Sequence, residues 1–248
     1  MRDDLLDAQA ALDWAVTQIP SLQEAFLGWQ RGNPYRIAQE SDPDGGPDFA
    51  VAYQEKPLPR ALNAWVGAII NSMRSSLDLL AATLAVRNGK KPSSNTHFPF
   101  FASEQAMLDP LNGLESRKWL SASERAAIKA LKPYRGGDAV LRTIHDLDIA
   151  RKHERLITVS ADVSGFLMLG NIRAWRVGGV KALKRLDHRT ILTRLRPGEI
   201  LYSTQGNTLL AVFIVFNEAA VGLVNEEVAL TLRKFSERIG DVISLFDN

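Results

Sequence analysis

Arg60-Ala61-Leu62-Asn63-Ala64-Trp65-Val66-Gly67-Ala68-Ile69-Ile70-Asn71-Ser72-Met73-Arg74-Ser75-Ser76-Leu77-Asp78-Leu79-Leu80-Ala81-Ala82-Thr83-Leu84-Ala85-Val86 is the stretch on which the fold turns. At 3.6 residues per turn, Leu62, Trp65, Val66, Ile69, Met73, Leu77, Leu80 and Leu84 fall on one broad apolar face. The opposite face carries Ala64, Gly67, Ala68, Asn71, Ser75, Ala82 and Ala85, where a surface helix would carry charges. The spacing therefore predicts a long central helix covered on both sides, ended by Asn88-Gly89. Arg74 and Asp78 are its only charges between Ala61 and Val86. They stand four residues apart, hence side by side, and need partners if that face is covered.

Upstream, Leu5, Leu12, Val16 and Ile19 predict a helix from about Asp3, capped by Asp3 or Asp4 and divided at Pro20, with Ser21 restarting it as far as Trp29. Tyr35–Glu40 and Phe49–Gln54 flank the turn-rich Asp42-Pro43-Asp44-Gly45-Gly46-Pro47 and read as a hairpin. Downstream, His97-Phe98-Pro99-Phe100-Phe101 is an irregular apolar plug. Ser121 and Glu124 form a capping box for a helix to about Leu131, and Asp138 caps another to about Lys152. From Leu156 the pattern becomes strand-like: Ile157 and Val159, Phe166 to Trp175, Thr190 to Leu195, Glu199 to Tyr202 and Leu209 to Phe216, punctuated by Gly178-Gly179, Pro197-Gly198 and Gly206-Asn207. A last helix is predicted from near Asn225, with Val228, Leu232, Phe235, Ile239, Val242 and Phe246 as its stripe.

These elements read as an α+β fold: a helical layer around the long central helix, packed on a mostly antiparallel sheet and closed by a C-terminal helix. One domain over 1–248 is expected, helical to about 154, sheet-rich over about 155–217 and closed by a helix over about 225–247. With 248 residues, 46% hydrophobic and 23% charged, the chain can bury a core and is not of disordered composition. The absence of cysteine excludes a disulfide framework and thiolate metal sites. Met1-Arg2-Asp3-Asp4 is unlike a secretory start and no apolar run is long enough for a membrane span, so a cytoplasmic protein without a membrane partner is expected. His97, His145, His153 and His188 have no metal-ligand spacing, and P-loop, G-x-S-x-G and G-x-G-x-x-G motifs are lacking. No metal and no cofactor are expected.

The Asp138 helix carries Val140, Leu141, Ile144 and Leu147 as its stripe. Arg151 falls near the stripe's centre and Asp148 at its edge, with His145 and Lys152 just beyond. Asp148 and Arg151 can therefore meet Arg74 and Asp78 in a four-charge cluster between helices. His153 points nearly the opposite way unless the helix unwinds after Arg151.

Arg74-Ser75-Ser76-Leu77-Asp78-Leu79-Leu80 resembles the R-S-A-L-D-x-L helix of a widespread set of uncharacterised bacterial proteins. The resemblance extends over about residues 33–156 through Phe98-Pro99, Lys132-Pro133-Tyr134, and Leu141–Leu147 leading to Asp148 and Lys152-His153. The family has an acid before K-H and an arginine after it. Arg151 and Glu154 stand there instead, an exchanged pair that suggests a structural role for those two. This resemblance implies a shared fold and no activity. A looser architectural likeness, to HEPN-type helical proteins, does not extend to their R-x4-6-H motif, which precedes none of the four histidines.

From Asn171 to Arg196 there are eight basic residues and one acid, a net +7 that leaves −5 for the rest. Arg173, Arg176, Lys184, Arg185 and Arg189, with Trp175 to stack on a base, are candidate nucleic-acid contacts. Three function classes follow. The first is a non-enzymatic binding module whose basic sheet takes nucleic acid or an acidic protein. The second is a metal-independent hydrolase or nuclease with Arg74, Asp78, Asp148, Lys152 and His153 as catalytic residues, an aspartate orienting His153 as base. The third is a structural protein or homo-oligomer in which the charges only hold helices together.

Overall fold

A computed structural model describes residues 2–168, 173–175, 185–186, 189–195 and 208–247, side chains excepted in 164–168, 173–175, 185–186 and 208–209. The first helix, α1, is Leu6–Arg31. It runs straight through Pro20, where a division had been expected. Pro20 is exposed, and Ala15, Ile19, Leu22 and Phe26 on either side of it are buried, so core packing outweighs the missing backbone hydrogen bond. Its start is a 3-10 turn, Asp3–Leu5, without a side-chain cap. Asp4 instead holds Arg87 through Nε at 2.6 Å and Nη2 at 2.7 Å.

The hairpin forms as expected from β1 (Tyr35–Glu40) and β2 (Phe49–Gln54). The long helix is α2 (Arg60–Arg87). It touches α1 on one side, and α5 (Ala139–His153) and α6 (Val228–Ser244) on others. The expectation that both faces are covered holds only in part. Gly67, Ser76, Ala81 and Ala85 are buried, whereas Ala61, Ala64, Ala68, Leu79 and Val86 form a solvent-facing stripe. A Cβ at Gly67 would lie 2.8 Å from Cδ of Arg151, so a larger residue there would displace that side chain. Between α2 and α5 come a short α3 (Glu104–Leu108), which the sequence reading did not anticipate, and α4 (Ala122–Leu131) with its Ser121–Glu124 capping box. Asp138 caps α5 by accepting from the Leu141 N–H at 2.9 Å.

The second half supplies β3 (Val159–Met168), β4 (Arg173–Trp175), β5 (Arg185–Leu186), β6 (Arg189–Arg194), β7 (Thr208–Glu218) and β8 (Leu223–Glu227). Two antiparallel four-stranded sheets result, in the orders β1-β2-β6-β5 and β4-β3-β7-β8. The early hairpin thus completes one sheet, and a single sheet drawn from the second half is not what forms. Phe166 to Trp175 is not one strand, since β3 ends at Met168 and β4 pairs back on it. Leu223–Glu227 is strand, so the last helix starts at Val228 and not near Asn225. Glu227 caps it, accepting from the N–H groups of Ala229 and Leu230. The strand expected over Glu199–Tyr202 and the three glycine turns lie outside the described residues. The core joins helices to both sheets: Ile69, Ile70, Met73 and Leu77 of α2 share it with Ala50, Ala52, Leu192, Phe216 and Ile239. Among the described residues no helix is long and apolar enough to cross a membrane.

Candidate functional site

Two regions stand out, a seam of charges between α2 and α5 and an apolar groove between α1, β7 and α6.

At the seam, Arg74 is 5% exposed. Its Nη1 lies 2.5 Å from Asp78 Oδ1, its Nη2 donates to the Phe98 carbonyl at 3.4 Å, and its Nε approaches Nδ1 of His145 at 3.5 Å. The guanidinium lies 4.8 Å from the centre of the Phe100 ring, a cation–π contact. Phe100 also stacks on His145, with ring centres 4.4 Å apart and planes 10° from parallel. Asp78 Oδ1 accepts from the Phe98 N–H at 2.9 Å, and its Oδ2 is 3.6 Å from Nδ1 of His97, an imidazole 60% exposed. Burial pushes the His145 imidazole down to about 4, helped by the Arg74 and Arg142 cations and opposed by Asp146 and Asp148. His145 is therefore neutral at pH 7.

The expected four-charge cluster is in fact two. Asp148, 2% exposed, accepts from Asn71 Nδ2 at 3.0 Å and is flanked by Arg151 at 3.5 Å and Lys152 at 2.6 Å. Arg74 and Asp78 instead serve the His97–Phe101 segment. The division follows from the helix wheel: Asn71, one turn before Arg74, reaches Asp148, so Arg74 meets α5 one turn earlier, at His145. His153 joins neither group. The helix continues through it and its side chain is exposed, so it cannot turn back to Asp148 or Asp78, and the role of base proposed for it is withdrawn. The helix wheel places His145 beside Asp148. Its partner Phe100 lies 45 positions away in an irregular segment, which no periodicity reveals.

Of the basic stretch, Arg189 is paired with Glu40, with Nε 3.1 Å from both carboxylate oxygens. Arg194 is 3.4 Å from Asp42 and stacks over Phe49. Arg176 and Lys184 lie outside the described residues, as do the side chains of Arg173, Trp175 and Arg185. Among the described residues no group of three or more histidine or carboxylate side chains is gathered as metal ligands would be.

The groove has a volume of about 350 Å³, within the range of ligand sites. Leu22, Phe26 and Leu27 form one wall, Val212–Ile214 the floor and Val228–Leu230 the other wall. Leu27, Phe213 and Leu230 remain 43%, 47% and 68% exposed. The polar side chains around it are engaged: Gln30 Nε2 donates to the Val212 carbonyl at 2.8 Å, Gln23 accepts from Arg233 at 3.2 Å, and Glu227 caps α6. Backbone direction follows from register. The Asn217 N–H donates to the Thr158 carbonyl, so Asn217, Val215 and Phe213 bond across to β3. Val212 and Ile214 then turn their amides and carbonyls to the other edge, where β8 pairs only from Val215 onward. Nothing in the sequence signalled this, because it depends on where β8 stops.

Family models, curated proteins and solved structures offer no match to the chain. The resemblance rests on the sequence motifs alone: Arg74–Leu80, Phe98-Pro99, Lys132-Pro133-Tyr134, and Leu141–Leu147 leading to Asp148 and Lys152-His153.

Proposed function

We propose that the chain is a non-enzymatic binding module that takes an extended apolar polypeptide segment into the groove between α1, β7 and the start of α6. One juxtaposition carries the reading. The edge of β7 at Val212 and Ile214 has no strand beside it among the described residues, and three exposed apolar side chains stand next to it. An open sheet edge is a template for another strand, and native proteins normally cover or charge it. Strand addition gains affinity from backbone hydrogen bonds and specificity from pockets for alternate side chains. The Gln30 amide on the Val212 carbonyl occupies a position that a strand's N–H would take.

Binding through the basic sheet draws less support, since Arg189 and Arg194 already face carboxylates. A hydrolase reading has lost His153. Selection of a phage-displayed heptapeptide library on the immobilised protein tests the proposal, with a Leu27→Asp/Leu230→Asp variant as control. Enrichment of peptides with apolar residues at alternate positions, bound by the wild type and released by the variant, is expected. Failure to enrich, or equal binding to the variant, contradicts it. Salt-sensitive binding of short RNA or DNA without peptide enrichment would assign the binding role to the basic segment.

A further inference from the structure

The segment His97–Phe101 crosses the seam between α2 and α5 and is fastened at each residue that bears on it. His97 faces the Asp78 carboxylate. The Phe98 N–H donates to Asp78, and the Phe98 carbonyl accepts from Arg74. Phe100 covers the Arg74 guanidinium and stacks on His145. The Phe101 N–H donates to the Pro133 carbonyl at 3.0 Å, and the Phe101 carbonyl accepts from Arg142 Nη1 at 3.3 Å. Beneath it, Phe98 is buried to 2% exposure.

We propose that His97–Phe101 is an acid-released strap, held shut while the His145 imidazole between Phe100 and Arg74 is uncharged. Among the described residues the closed arrangement gives an imidazolium no partner of its own. Arg74 and Asp78 face it from α2, but Asp78 is spent on Arg74, on the Phe98 N–H and toward His97. Arg142, Asp146 and Asp148 accompany it on α5. Asp146 is held by Arg142 at 2.5 and 3.0 Å, with Arg135 at 3.7 Å, and Asp148 by Lys152, Arg151 and Asn71. The strap itself brings His97, which faces the Asp78 carboxylate and not His145. A proton on His145 therefore places a cation between Arg74 and Arg142 under a ring it already shares with Arg74. Moving Phe100 away lets water solvate that charge.

The size of the effect follows from linkage. With His145 titrating at about 4 when covered and near its usual 6.5 when released, the opening equilibrium rises about 20-fold between pH 7 and pH 5. Acidification then raises the fraction of molecules in which Phe98 and Phe101 are bared while the helices beneath remain packed. The strap is independent of the groove and stands or falls separately.

Backbone amide exchange at Phe98 and Phe101, corrected for intrinsic rates, measures strap opening. Exchange at Ile69, Ile70 and Met73 of α2 reports whole-molecule unfolding. Protection at Phe98 and Phe101 should fall tenfold or more from pH 7 to pH 5 while the α2 amides are unchanged. The His145→Gln variant, which keeps a neutral acceptor for Arg74, should lose that pH dependence, and Asp78→Asn should lower strap protection already at pH 7. Parallel loss at strap and α2 amides, or an identical pH profile in His145→Gln, overturns the proposal.

Discussion

At the scale of single residues, the consequential decision is where two buried charges find counter-charges. Arg74 is almost wholly enclosed and, among the described residues, Asp78 is the carboxylate that answers its charge, so removing it strands a buried cation. Asp78→Ala is expected to cost about 3–5 kcal/mol in urea unfolding. Glu226→Ala, at an exposed position, should change stability by less than about 0.5 kcal/mol. His145 adds a pH dependence of definite sign. Its folded value lies below its usual 6.5, so the unfolded chain binds the proton more readily. The stabilisation is complete above pH 6.5 and is lost as pH falls toward 4, by at most about 3 kcal/mol. Burial raises the Glu218 carboxyl, but the Arg155 guanidinium, at 2.6 and 2.7 Å, and the Thr158 N–H outweigh it and hold the carboxyl below its usual 4.5. That contribution is present above pH 4.5 and disappears further into acid. Comparing wild type with His145→Gln by urea unfolding at pH 7, 6, 5 and 4.5 separates the two, because the variant should lose only the decline between pH 6.5 and 4.5. Arg74 and Asp78 were legible in the sequence because charges are rare in that helix. His145 as the group beside Arg74 was not, because Phe100 decides its surroundings.

Between elements, the fold was legible wherever local chemistry decided it. The periodicity of α2, the capping box of α4, the Asp138 cap of α5 and the hairpin at Asp42–Pro47 each depend on residues within a few positions of one another. The errors arose where packing between distant segments overrode local preference. Pro20 did not divide α1, because Ile19, Leu22 and Phe26 bury on both sides of it. Leu223–Glu227 became a strand because β7 offered an edge to pair with. The α2–α5 contact has its own test. In an open helix, Gly67→Ala would gain roughly 1 kcal/mol of helix propensity. Here the new Cβ meets Arg151 at 2.8 Å, and Arg151 flanks Asp148. The substitution should lower the melting temperature, whereas Ala64→Ser on the exposed stripe should leave it within a degree or two.

For the whole molecule, the groove and the strap are built by different elements. The strap belongs to the helical layer, and the groove lies where that layer meets the edge of the second sheet. The groove exposes apolar side chains at Leu27, Phe213 and Leu230, and the proposed acid release of the strap would add Phe98 and Phe101, which are buried when it is closed. Composition carries no trace of either, since its one asymmetry is the excess of basic residues in 171–196, where Arg189 and Arg194 are held by the hairpin's carboxylates. The central claim is that an incoming segment adds as a strand along β7. The most direct measurement is amide exchange at Val212 and Ile214 with and without a saturating heptapeptide selected on the protein. Strand addition predicts that both amides gain protection of tenfold or more while those of Phe213 and Val215, already bonded to β3, barely change. Peptide binding with no added protection at Val212 and Ile214 would contradict it.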